Sequence, residues 1–173
     1  SNEKPYLIYN SMLVDTNSVL TIEAGTQLFF HKNSAMYVQG TLIVEGTLDE
    51  PVIFEGDRLE SLFDDVPDQW SGIHFVAGSR NNIIDYAKIR NANIGIRIDS
   101  VVAFNSPTLT ISNTIIENMY YAGIWGLQST ILAYNCVISD CGYNAISFPI
   151  GGIYEFYHCT ISNDESYSTR TTP

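Results

Sequence analysis

A six-residue string returns through the C-terminal half of this chain, and no other feature restricts the fold so strongly. Asn113-Thr114-Ile115-Ile116-Glu117-Asn118, Asn135-Cys136-Val137-Ile138-Ser139-Asp140 and His158-Cys159-Thr160-Ile161-Ser162-Asn163 align without gaps at offsets of 22 and 23, and Tyr86-Ala87-Lys88-Ile89-Arg90-Asn91 fits upstream at 27. In each string a small residue and an Ile stand two apart, the spacing of side chains on one face of a strand. A short fixed period means stacked units that bury a core jointly, because one unit alone cannot cover its apolar face.

Two more columns repeat in step with that one. The first reads Gly or Ala followed by Ile-x-apolar: Gly72-Ile73-His74-Phe75, Gly95-Ile96-Arg97-Ile98, Gly123-Ile124-Trp125-Gly126 and Ala145-Ile146-Ser147-Phe148. The second has inward pairs at Leu20 and Ile22, Leu42 and Val44, Leu109 and Ile111, Ile131 and Ala133, and Tyr154 and Phe156, with Ile84 in a looser copy. The six-residue strings are the third column. Carried backward, Met12/Val14 and Met36/Val38 join the first column, and Leu28/Phe30 and Val52/Phe54 join the third. Three strands and three turns in 22 to 28 residues predict an all-β fold, a right-handed parallel β-helix (solenoid) of about six three-strand coils. Helical solenoids need runs of 3.6 periodicity, and a β-sandwich has no reason to repeat one pattern this regularly. The expected limits are an N-terminal segment or cap at 1–11, one β-helix domain at 12–163 with an inserted loop at 55–69, and a polar tail or linker at 164–173.

Composition removes several classes of function. With 45% hydrophobic and 16% charged residues, the chain cannot be globally disordered. Eight Lys plus Arg against nineteen Asp plus Glu give a net charge of -11, which argues against nucleic acid or an anionic membrane as partner. No stretch approaches the roughly 20 apolar residues of a membrane span. Ser1-Asn2-Glu3-Lys4-Pro5 has neither an initiator Met nor an apolar leader, as expected of a mature or excised chain. Three Cys do not make a disulfide framework, and Cys136 and Cys159 occupy an inward small-residue position that suits reduced thiols in a core.

Val19-Leu20-Thr21-Ile22-Glu23-Ala24-Gly25-Thr26, Gly40-Thr41-Leu42-Ile43-Val44-Glu45-Gly46-Thr47, Pro51-Val52-Ile53-Phe54 and Trp70-Ser71-Gly72-Ile73-His74-Phe75 resemble the opening coils of bacterial cell-surface or secreted β-helix proteins, which are similar in fold to pectate lyases. The resemblance covers nearly the whole chain. It implies the fold and an exported location, extracellular, cell-surface or periplasmic, more firmly than any activity.

The outward positions carry the candidate chemistry. On the first column these are Tyr37, His74, Arg97, Trp125 and Ser147, stacked about 5 Å apart. Aromatic faces stack on pyranose rings and an Arg fork holds a carboxylate or sulfate, so an acidic glycan is the expected ligand; a loop-covered surface column is the alternative. Just after the second column stand Glu23, Glu45, Asp85, Ser112, Tyr134 and Tyr157. The three carboxylates could hold Ca²⁺ or supply the paired acids of a retaining glycosidase, or be turn acids splayed into solvent. No other cofactor is expected. Asp57, Glu60, Asp64, Asp65 and Asp68 read as a solvated acidic loop. His31, His74 and His158 fall on separate coils, which supports neither a metal centre nor a Ser/His/Asp triad. Lys88 and Arg90 point outward from the third column and Arg97 from the first, so they do not converge as a lyase would need. Asn91, Asn118, Asp140 and Asn163 read as a structural ladder, with His158 in the matching bend before the strand.

Phe29, Ile53, Ile115 and Val137 form an outward apolar stripe on the third column, broken by Lys88 and continued by Ile43, Ile83 and Leu132. Such a stripe predicts a cover: a neighbouring domain, a second copy of the chain, or one of its own termini. Taken together, the chain reads as a non-catalytic binding or display module of an exported bacterial protein, with carbohydrate as ligand class. The alternatives are a polysaccharide lyase or glycoside hydrolase fragment, and a structural adhesin spacer.

Overall fold

The computed structural model describes residues 5–99 and 106–163. Among them, every named strand lies in one of three parallel sheets, and successive coils wind the chain into a β-solenoid of about seven turns. The first sheet holds six strands from Met12–Val14 to Asn144–Ile150. The second also holds six, from Val19–Glu23 to Ile153–Tyr157, and the third holds seven, from Tyr6–Ile8 to Thr160–Ser162. The sequence expectation of six coils therefore misses Tyr6–Ile8, which lies inside the segment assigned to a cap and pairs in register with Leu28–Phe30. Residues 1–4 of that segment and the tail 164–173 lie outside the described residues.

The inward isoleucines stack as the repeat predicts. Ile89, Ile116, Ile138 and Ile161 are consecutive register partners, and the first three are fully buried. Ile161 is 54% exposed, because its strand is the last of the third sheet. Phe54 lies over Ile89 from the other side. Burying one such side chain contributes about 1.5–3 kcal/mol, so a continuous column accounts for much of what holds the coils together.

Corners set the period. Asn91, Asn118 and Asp140 turn the chain from the third sheet to the first with φ of 59°, 59° and 52°; Tyr86, Asn113, Asn135 and His158 turn it from the second to the third with φ of 48°, 50°, 50° and 55°. This left-handed region costs ordinary side chains energy and costs Asn and Asp less. The amides also bond along the stack: Asn118 Nδ2 donates to Asn91 Oδ1 at 2.6 Å, and Asn135 Nδ2 to Asn113 Oδ1 at 2.8 Å. Asn163 continues the ladder by accepting from the Cys141 amide at 3.0 Å. Gly72 begins its strand with φ of 107°, and a Cβ there would strike the Ile94 carbonyl of the next coil.

One register departs from expectation. Leu28 pairs with Phe54, where the repeat suggested Val52, and Gln27 pairs with Ile53. The turn at 46–51 is the cause. It closes on itself through Thr47 N to Glu50 O at 3.1 Å and Glu50 N to Thr47 Oγ1 at 3.0 Å, and Glu50 O accepts from Gly25 N at 2.9 Å. The following strand slides by two residues, which keeps the same side chains inward. In the looser copy of the second column the inward partner of Leu109 is Asn82, buried and fully engaged: Oδ1 accepts from Leu42 N at 2.8 Å, and Nδ2 donates to Ser79 Oγ and Thr108 O. All three cysteines are free thiols; Cys136 and Cys141 are buried, and desolvation pushes the Cys136 thiol up to about 12.

The inserted loop starts later than expected, since Glu55 and Gly56 belong to the strand Val52–Gly56. Beyond it, residues 57–69 form a docked loop with a short 3₁₀ turn at Ser61–Phe63. Gln69 staples it by donating from Nε2 to the Phe63 and Val66 carbonyls at 2.7 and 2.8 Å. Gly56 leaves the room that the Gln69 side chain fills. Trp70 then enters the core, stacked on Phe30 at 4.3 Å with Nε1 donating to the Arg90 carbonyl at 2.8 Å.

Candidate functional site

On the first sheet, Tyr37, His74, Arg97, Trp125 and Ser147 are register partners on consecutive coils, so all the predicted candidates share one outward column. Alternation drives this: Ile73/Phe75, Ile96/Ile98 and Ile124/Gly126 point inward, and the residue between each pair must face out. Strand spacing places neighbouring rings about 4.8 Å apart. The side chains use that spacing in pairs. Tyr37 meets His74 edge to face at 5.2 Å, and the Arg97 guanidinium lies over the Trp125 ring at 4.6 Å.

Electrostatically the column is quieter than its composition suggests. Arg97 Nε donates to both oxygens of Asp99, at 2.9 and 3.2 Å, so the only cation of the column already has its carboxylate. His74 Nε2 lies 3.2 Å from the Ser71 carbonyl, which can only accept, so this nitrogen carries a hydrogen. Burial pushes the His74 imidazole below its ordinary 6.5, and Arg97 adds to the fall. The arrangement presents ring faces and hydrogen-bonding edges with little free charge.

The carboxylates of the second sheet stack in the expected order, Glu23 on Glu45 on Asp85 on Ser112 on Tyr134 on Tyr157. Of the readings open for them, the structure bears on the cation site. Asp85 Oδ1 accepts from Ser112 Oγ at 2.7 Å and from Asn113 Nδ2 at 2.8 Å, which ties it into the corner ladder. Among the described residues, no group of three or more His, Cys, Asp or Glu side chains is placed to hold a metal ion.

Sequence reasoning missed an ion cluster on the third sheet. Glu55, Arg90 and Glu117 follow one another across the coils: Arg90 Nε lies 2.9 Å from Glu117 Oε1, an ion contact off the angle of a hydrogen bond, and Nη1 lies 3.8 Å from Glu55 Oε2. Lys88 reaches Glu117 at 3.2 Å. Above them, the Asp64 carbonyl of the loop accepts from Arg90 Nη2 at 3.3 Å and Asn91 Nδ2 at 3.0 Å. Burial lifts the Glu55 carboxyl above its usual 4.5, with Arg90 and then Lys88 pulling it back. Of the loop acids, Glu60, Asp64 and Asp65 are exposed, as expected of a solvated loop, whereas Asp57 and Asp68 anchor it through their carboxylates. Asp57 bonds His31 Nδ1 at 2.7 Å, and Asp68 accepts from Asn93 Nδ2 at 2.7 Å and lies 3.8 Å from Lys32.

The expected apolar stripe is broken up. Phe29 is 9% exposed and faces Leu7 and Glu55, because of the two-residue slide. Ile53, Lys88, Ile115 and Val137 do share a column, but Ile43, Ile83 and Leu132 lie on the second sheet in a separate column interrupted by Thr110. A second missed feature is aromatic. Tyr120, Tyr121 and Tyr143 meet at the corner between the third and first sheets, all exposed, with Tyr143 centred 5.1 Å from Tyr121 and 6.3 Å from Tyr120. Turn residues fall outside strand alternation, so only their shared offset of 22 from Tyr121 to Tyr143 could have signalled it. No helix among the described residues is long and apolar enough to cross a membrane. Compared with family models, curated proteins and solved structures, the chain matches none, and what it does must be judged from its own residues.

Proposed function

We propose that the chain is a non-catalytic β-helix module for binding or display, part of an exported bacterial protein related in fold to pectate lyases, and that its ligand is a carbohydrate. One observation carries this: four consecutive coils hold Tyr37 edge-on to His74 and the Arg97 guanidinium over the Trp125 ring in a single outward column. Sheet pairing fixes these rings before any ligand arrives, which lowers the entropy lost on binding. Arg97 is committed to Asp99, so the column offers no unpaired cation to act on a substrate charge, and this supports binding over catalysis.

A glycan array followed by calorimetric titration of the best ligand tests the proposal. Trp125→Ala should weaken binding by about tenfold, the value of one lost stacking contact of about 1.4 kcal/mol. Unchanged binding in that variant would retire the column as the site. An absorbance assay for unsaturated uronate products, run on the same samples, separates this function from that of a lyase: appearance of product would make the chain an enzyme.

A further inference from the structure

Three tyrosines gather at one corner with their rings left open to solvent. Tyr120, Tyr121 and Tyr143 are 48%, 39% and 47% exposed, where an apolar ring serving only stability would be buried. Their backbones are fixed by main-chain bonds across the coils: Tyr120 N to Ala92 O at 2.9 Å, Tyr121 N to Asn93 O at 2.8 Å, and Tyr143 N to Tyr121 O at 3.1 Å. The preceding coil has Ala92 and Asn93 at the same corner, so the rings cluster on the two coils that also carry Trp125 and Ser147. The rings lie at 37° and 66° to one another instead of flat, forming a faceted aromatic surface. Each phenol joins an apolar ring to a hydroxyl, the same pairing of groups that a pyranose offers in its C–H faces and hydroxyl edges.

We infer that this corner is a second aromatic subsite and that the ligand it shares with the first-sheet column is an uncharged glycan. The inference rests on the carbohydrate reading above and departs from the acidic glycan that the sequence suggested. Charge decides the class. Arg97 is the only cation in the column and is neutralised by Asp99, and the chain carries a net charge of -11, so a uronate or sulfate would meet net repulsion with no unpaired cation in that column to offset it.

The test is a glycan array carrying neutral hexasaccharides of glucose, xylose and mannose beside hexagalacturonate, followed by titration of the tightest ligand. The neutral hexasaccharide should bind more tightly than hexagalacturonate, and Tyr121→Ala and Tyr143→Ala should each weaken it by about tenfold. Tyr143→Phe, which keeps the ring, should stay within about threefold. Tighter binding of hexagalacturonate, or Tyr→Ala variants that bind like the parent, would overturn the subsite. If Trp125→Ala loses binding while the tyrosine variants keep it, the carbohydrate reading stands and the subsite falls. No binding anywhere on the array defeats both.

Discussion

The third and first sheets carry outward side chains of the same coils, yet they use them in opposite ways. On the third sheet, Glu55, Arg90, Glu117 and Lys88 bind one another and the loop at 57–69, so their charge is spent within the chain. On the first sheet, the cation is matched locally by Asp99, leaving Tyr37 and Trp125 turned outward beneath no described loop. Alternation requires only that these positions face away from the core. What they then do depends on whether another segment of the chain is fastened to them, and this is why the two faces differ in their response to mutation and pH.

The largest effect should come from Trp70, where the loop rejoins the core. Trp70→Ala removes a fully buried ring stacked on Phe30 and should cost about 3–5 kcal/mol, read from chemical denaturation. A smaller value would mean that the loop is not fastened through this residue. Next comes the direct contrast between faces. Arg90→Ala leaves Glu55 and Glu117, on the coils to either side, partly buried without their shared cation and should cost about 2 kcal/mol, with faster proteolytic cleavage within 57–69. Arg97→Ala, on a half-open face, should cost less than about 1 kcal/mol and leave the loop resistant. Equal effects would erase the distinction.

The smallest effects are those of pH, and they run in opposite directions. Burial raises Glu55 above 4.5, so the folded chain keeps a proton that the unfolded chain releases, and this group's contribution to stability is lost as pH rises from about 4.5 through the folded-state value. Burial lowers His74 below 6.5, so the unfolded chain takes up a proton first, and stability is lost as pH falls from about 6.5 toward the folded-state value. Denaturation midpoints across the acid-to-neutral range should lose the first slope in Glu55→Gln and the second in His74→Gln. Either variant leaving its slope in place would show that another group titrates there.

The columns were legible where corners are single residues. Asn113 and Asn135 each make the turn alone, so counting along the sequence places Ser112 under Tyr134 and Ile116 under Ile138 correctly. Counting failed at 46–51, and the hydrophobic pattern could not reveal the error. A slide of two residues keeps Val52 and Phe54 inward while changing which residues meet across the coils, so Phe29 faces Glu55 and the stripe dissolves. Tyr6–Ile8 escaped because three residues show no period. The loop contacts escaped because Asp64 and Arg90 are far apart in sequence, and only the fold brings them together. The aromatic column was legible in full, but its neutralisation was not: Asp99 is the next outward residue of the same strand, and only the side-chain geometry shows that Arg97 turns toward it.

Every outward assignment depends on coils that stack in register, and methyl-resolved NMR of the intact chain tests that most directly. Nuclear Overhauser contacts should link the Ile89 methyl groups to those of Ile116, and Ile116 to Ile138, with Arg97 side-chain protons shifted by the Trp125 ring. Contacts from Ile116 that skip both neighbours, or Arg97 resonances at unshifted positions, would contradict both the winding and the site built on it.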